Sequence, residues 1–144
     1  MKTHQVSIEE FYEVIPTLKF DPLATKEVLD LGFKSVEDAY MSANKAWARF
    51  YLVKHYGKVI APILEQRDGN LVFFTTQYMK PKYTKLYIKE MRHISNSVIR
   101  KRGVLFVTVA RWYKQAQKFL KIVGFKPHII TPRYEVWYKD GKQN

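Results

Sequence analysis

The residues in this 144-residue sequence best placed to do chemistry are its basic ones. Lys and Arg number 25 against 13 Asp and Glu, a net charge of +12. The excess is concentrated between Gln77 and Arg102, where Lys80, Lys82, Lys85, Lys89, Arg92, Arg100, Lys101 and Arg102 face the single acid Glu90. Such a stretch attracts phosphate-bearing ligands or a polyanion such as nucleic acid. Tyr78, Tyr83 and Tyr87 are interleaved with it and could stack on bases. The plainer alternative is a solvated, solubilising face. Other chemistries are closed off. The sequence has no cysteine, which excludes disulfides, thiolate metal ligands and a Cys nucleophile. His4, His55, His93 and His128 stand far apart with no paired ligand spacing, so no metal site is expected.

Hydrophobic residues make up 47% of the sequence, enough for a packed core and too many for a disordered chain. The expectation is a single domain over residues 1–144. No apolar run reaches the roughly 20 residues of a membrane span. Met1-Lys2-Thr3-His4-Gln5 lacks the apolar stretch of a secretory signal, so an intracellular, unsecreted protein is expected.

The elements that must position these residues follow from capping and periodicity. Residues 4–6 form a short first strand. Ser7-Ile8-Glu9-Glu10 reads as a capping box, and the helix behind it stops near Pro16. Asp21-Pro22 starts a second helix, which Gly32 ends. Ser35 with Asp38 starts a third, whose apolar stripe runs Val36, Ala39, Tyr40, Ala43, Trp47, Phe50. Phe50–Tyr56, Lys58–Gln66 and Leu71–Thr76 then read as a three-strand antiparallel meander, with turns at Tyr56-Gly57 and Asp68-Gly69. Pro62 implies a bulge or a locally unpaired N–H in its middle strand. A long helix covers about Lys82–Lys101 with Tyr83, Tyr87, Met91, Ile94 and Val98 inward, and Gly103 ends it. Val104–Ala110 reads as a central strand buried on both faces, parallel to Leu71–Thr76 across a crossover. A helix near Tyr113–Val123 buries Ala116, Phe119, Leu120 and Val123. Strands near His128–Thr131 and Arg133–Tyr138 close the chain.

This order, with Ala116-x-x-Phe119-Leu120-x-x-x-Gly124-Phe125 in the helix after the fifth strand, resembles the Gcn5-related N-acetyltransferase (GNAT) fold over nearly the whole chain. The implied class is α/β (α+β): a mixed, mostly antiparallel sheet of about six to seven strands with helices on both faces. Phe73-Phe74-Thr75-Thr76, the basic helix, Ala110-Arg111, Lys118-Phe119-Leu120-Lys121 and Gly124-Phe125 are further similar to small GNAT-like internal virion proteins of T7-type bacteriophages.

The resemblance implies acetyl-CoA lying where the fourth and fifth strands part, near Phe74, Thr75 and Val107. The family's pyrophosphate loop, Arg/Gln-x-x-Gly-x-Gly/Ala, falls on Gln77-Tyr78-Met79-Lys80-Pro81-Lys82. Gln77 matches. Lys80 and Lys82 stand at the glycine positions, and Pro81 lacks an N–H. The two lysines either attract pyrophosphate as point charges or fill its space, and the second outcome is the expectation. The family's tyrosine acid falls on Leu120, which cannot donate a proton; Tyr113 or Tyr134 could substitute. Glu65 on the third strand is the nearest candidate base, with a solvated residue beside the turn as the plainer reading, and His55 is weaker.

The expectation is therefore a phage-type GNAT-fold protein with a degenerate acetyl-CoA site, working by contact in the virion or on a host protein with weak or no transferase activity. An active acetyl-CoA-dependent N-acetyltransferase is the first alternative. Nucleic-acid binding through the basic helix is the second.

Overall fold

The computed structural model describes residues 1–142. The chain runs β1 (Lys2–Val6), α1 (Ile8–Val14), a 3-10 turn (Ile15–Thr17), α2 (Pro22–Asp30), α3 (Val36–Met41), β2 (Arg49–His55), β3 (Lys58–Glu65) and β4 (Leu71–Phe73). It continues through a second 3-10 turn (Pro81–Tyr83), α4 (Thr84–Arg102), β5 (Val104–Ala110), α5 (Lys114–Val123), β6 (Lys126–Ile130) and β7 (Tyr134–Asp140). Local chemistry sets most boundaries. Ser7, Asp21 and Ser35 each accept a first-turn N–H with the side-chain oxygen, from Glu10, Leu23 and Asp38. Gly103 and Gly124 end α4 and α5 at positive φ. Tyr56 and Gly57 both take positive φ, 51° and 76°, as a type I′ hairpin turn requires.

The strands form two antiparallel sheets, β1-β2-β3-β4 and β5-β7-β6. One face carries α1, α2 and α3, packed through Phe11, Ala24, Val28 and Tyr40. The other carries α4 and α5, packed through Tyr87, Met91, Ile94, Val98, Leu120 and Val123. This is the mixed sheet with helices on both faces that the sequence implies.

Four local expectations need correction. The third helix stops at Met41 instead of running to Phe50. Turn chemistry overrides the stripe there: Asn44 Oδ1 accepts from Ala46 N–H, and Trp47 takes φ 59° and is 81% exposed. The bulge lies between Val53 and Lys54 opposite Ile60, not at Pro62, which pairs with Leu52. Pro62 needs no bulge because its N and O face the side where the Tyr40 hydroxyl stands between β3 and the chain past β4, so the N–H it lacks has no strand partner to lose. β4 ends at Phe73 rather than Thr76. Finally, β5 is not buried on both faces: Thr108 is exposed, and β5 forms an edge of its sheet.

Candidate functional site

Where the two sheets meet, β4 and β5 touch at one end and part at the other. They share a single parallel bridge, Asn70 to Phe106, with Phe106 N–H donating to Gly69 O at 2.9 Å. Tyr40 accounts for the divergence of β4. Its hydroxyl is wedged between strands, donating to Pro62 O at 2.7 Å and accepting from Phe74 N–H at 2.9 Å. Direct pairing with β3 resumes only at Thr76, whose N–H reaches Ile60 O. Because Phe74 N–H faces β3, strand alternation turns the amides of Phe73 and Thr75 toward the opening.

Helix α2 spans that opening. At its start Asp21 N–H donates to Thr75 O, just past β4, at 3.0 Å. Two turns later the Glu27 carboxyl accepts from Ala110 N–H at the end of β5, at 2.8 Å. One short helix thus joins both diverging strands and carries an acid between them. Gln117 on α5 holds the same corner by donating to Ala110 O and Arg111 O.

The result is a cleft of about 960 Å³ that passes between the sheets. Asp21, Leu23, Ala24, Glu27, Leu31 and Phe33 line it from the α1–α3 face. Met79, Thr84, Tyr87, Ile88, Tyr113, Gln115, Ala116 and Phe119 line it from the α4–α5 face. Phe73, Phe74, Thr75, Val107 and Val109 form the strand edges.

Three groups in this cleft, Glu27, Tyr113 and Tyr87, have altered acidity, each raised chiefly by burial. Burial pushes the Glu27 carboxyl up to about 7, against a smaller opposing effect of the Ala110 N–H. Glu27 is 6% exposed, so its negative form loses water and gains only that one amide. Burial, with the nearby Asp21 and Glu27 charges, pushes the Tyr113 hydroxyl up to about 12. Tyr87 is fully buried and stacks on Phe119 at 5.1 Å between centroids. Its hydroxyl has no hydrogen-bond partner among the described residues.

The residues singled out from sequence separate into two groups. Phe74, Thr75, Val107, Tyr113 and Tyr134 all line the cleft. Gln77, Lys80 and Lys82 do not, and all three are exposed. The two lysines therefore do not block the cleft itself. The Lys82 ammonium lies 5.4 Å over the Tyr83 ring, and Tyr83 packs against His55. The loop is nonetheless poor in free amides. Gln77 N–H donates to Lys19 O, and Tyr78 and Met79 N–H donate to Thr76. Glu65 is not solvated beside a turn. It is fully buried outside the cleft, with Arg102 Nε and Nη2 on one oxygen at 2.9 and 2.8 Å and the Tyr51 hydroxyl on the other at 2.8 Å. Both of its oxygens are engaged, so it is not free to accept a substrate proton.

Sequence reasoning missed Glu27. The signal was present: Glu27 stands on the apolar face of α2, one turn from both Ala24 and Leu31 and beside Val28. Among the described residues no group of three or more His, Asp or Glu side chains could hold a metal ion, and no helix is long and apolar enough to cross a membrane.

No family model and no curated protein matches this sequence. The fold has clear relatives among solved structures, at low identity. The aminoglycoside acetyltransferase AAC(6')-Ib in complex with coenzyme A and kanamycin superposes with a TM-score of 0.67 at 10% identity, covering 98% of this chain and 95% of that one. The GNAT domain of the S. lividans PAT protein gives 0.65 at 8% identity over 96% and 89%. A Streptococcus mutans protein gives 0.66 at 12% identity over 97% and 99%. The architecture is that of the GNAT acetyltransferases.

Proposed function

We propose that this chain is an acyl-CoA-dependent N-acyltransferase in which Glu27 is the general base. The observation that carries the proposal is a buried carboxyl, its acidity weakened by burial, on the wall of a cleft lined from both faces of the sheet. A cleft lined from both faces suits a two-substrate reaction. A thioester donor enters along α4 and α5 beside the free edge of β4, an amine enters past α2, and the two meet between the strands. Positioning of this kind supplies much of the rate of such a reaction.

The residues present fit an acyl-CoA. The strand amides of Phe73 and Thr75 face the opening, the walls are largely apolar, and Lys80, Lys82 and Lys85 stand at the α4 end for phosphates. The donor supplies an acyl group activated as a thioester. Transfer forms a C–N bond, breaks a C–S bond, moves one amine proton to Glu27 and frees a thiol that takes up a proton. Glu27 Oε2 is steadied by Ala110 N–H, which leaves the other oxygen for the amine. Asp21 at the same wall adds negative charge suited to a cationic acceptor.

The structural neighbours support this reading through what they are: transferases of aminoglycosides and, in the case of a spermidine N-acetyltransferase chimera, of a polyamine. A second reading is a contact protein of a phage virion or of the host, with little or no turnover. It is favoured by the engaged amides of Gln77, Tyr78 and Met79, which leave phosphate binding to side-chain charge. Calorimetry with acetyl-CoA, followed by mass spectrometry of a panel of amines incubated with donor and protein, decides between them. Binding with acylated product supports the transferase. No heat at millimolar acetyl-CoA and no product refutes it.

A further inference from the structure

One polar atom in the cleft is unexplained by the fold. Tyr87 is 3% exposed, and its hydroxyl is buried with no partner among the described residues. A buried hydroxyl without a hydrogen bond costs on the order of 1–3 kcal/mol. Phenylalanine would pack the same site without that cost, so the hydroxyl needs a reason.

Its position suggests one. Tyr87 lies in the first turn of α4, its ring fixed by near-parallel stacking on Phe119 at an interplanar angle of 11°. Tyr113 lines the same cleft as Tyr87. Tyr40 is the wedge beside β4, and Tyr113 follows the end of β5. Tyr87 itself lines the cleft between the parting strands, and its unpartnered hydroxyl is buried beside it. Leu120, the neighbour of Phe119 in the chain, lines the same cleft and carries no hydroxyl.

We propose that the Tyr87 hydroxyl is a hydrogen-bond donor to the carbonyl oxygen of an acyl thioester held between β4 and β5. The inference rests on the acyl-transfer reading above. As the amine nitrogen adds to the carbonyl carbon, negative charge gathers on that oxygen, and a fixed donor in a dry site stabilises it. Burial holds the phenol well above its usual range, so it stays protonated and acts only as a donor. The tyrosine neither gains nor loses a proton; the amine proton still goes to Glu27.

The test is Tyr87→Phe, which keeps the ring and its stack. Three measurements are made on wild type and variant: the infrared carbonyl band of bound acetyl-CoA labelled with carbon-13 at the carbonyl, the unfolding temperature, and steady-state acylation of an accepted amine. The expected result is a carbonyl band lowered on binding to wild type, and a smaller lowering in the variant. The unfolding temperature should be unchanged or higher, and kcat should fall about 100-fold with little change in the KM for donor. A variant with wild-type band position and kcat within twofold overturns this assignment and leaves the acyl-transfer reading standing. A variant whose unfolding temperature falls by several degrees along with its activity shows a structural role and also overturns it. A wild-type protein that neither binds acetyl-CoA nor acylates any amine overturns both readings together.

Discussion

Replacing Glu27 with Gln separates stability from catalysis at one atom. The native carboxyl is carried from 4.5 to about 7, chiefly by burial. At roughly 1.4 kcal/mol per pH unit, that difference is worth about 3 kcal/mol. The native state holds the proton more tightly than the unfolded chain. The contribution is thus full below pH 4.5, is lost as pH rises to about 7, and changes no further above that. Glutamine is neutral throughout, and its carbonyl oxygen can still accept from Ala110 N–H. Urea unfolding at pH 4 and pH 8 should show the variant gaining on wild type by up to about 3 kcal/mol between the two, with equal m-values. Acyl transfer, followed by release of free thiol, should move the opposite way. Wild-type kcat/KM should rise through pH about 7, and the variant should lack that limb and be slower by about 10²–10⁴-fold. If the limb persists in the variant, Glu27 is not the base. If the variant gains no relative stability at pH 8, burial does not load Glu27 as described.

Tyr40→Phe removes the hydroxyl shared by Pro62 O and Phe74 N–H and should cost about 2–4 kcal/mol by leaving both without a partner; an unchanged urea midpoint would remove Tyr40 as the wedge. Arg102→Ala leaves the fully buried Glu65 without its cation and should cost about 3–5 kcal/mol. Its kcat per folded molecule should stay near wild type, because Glu65 lies outside the cleft, and a large loss of kcat would contradict that placement. Lys80→Ala with Lys82→Ala should weaken acetyl-CoA binding about tenfold, the sum expected of two exposed charges. Calorimetry across a salt series should also show a flatter salt dependence in the double variant, and identical curves would rule out point-charge binding of the phosphates.

Most of the framework was legible because local signals were strong. Ser7, Asp21 and Ser35 cap the helices they were expected to cap, and the element order together with the Ala116–Phe125 motif led to the GNAT architecture. Failures came where a tertiary contact or a turn overruled periodicity. The third helix follows its apolar stripe only until Ser42, after which the Asn44 turn captures the chain. The candidate cleft was legible in part, since Phe74, Thr75, Val107 and Tyr113, singled out from the sequence, all line it. Glu27 and Tyr87 were hidden for one reason. A stripe of apolar spacing marks a position as inward but does not say whether inward means core or cleft. Tyr87 belongs to such a stripe and packs as expected, yet it also lines the cleft and its hydroxyl finds no partner among the described residues.

This bears on how the departures from the family pattern should be weighed. Leu120 and the lysines at the glycine positions look like losses when each position is judged alone. The chemistry they would perform needs a base, a donor aimed at the thioester and positive charge near the phosphates, and none of these must come from a particular element. Here α2 crosses from Thr75 to Ala110 and carries a carboxyl into the gap, while α4 carries a phenol from the facing side. Both side chains are buried at a cost that packing does not repay. A contact protein without chemistry would gain stability by exchanging Glu27 for glutamine and Tyr87 for phenylalanine. Both stand in one cleft and on opposite walls, the arrangement that the proposed transfer would need.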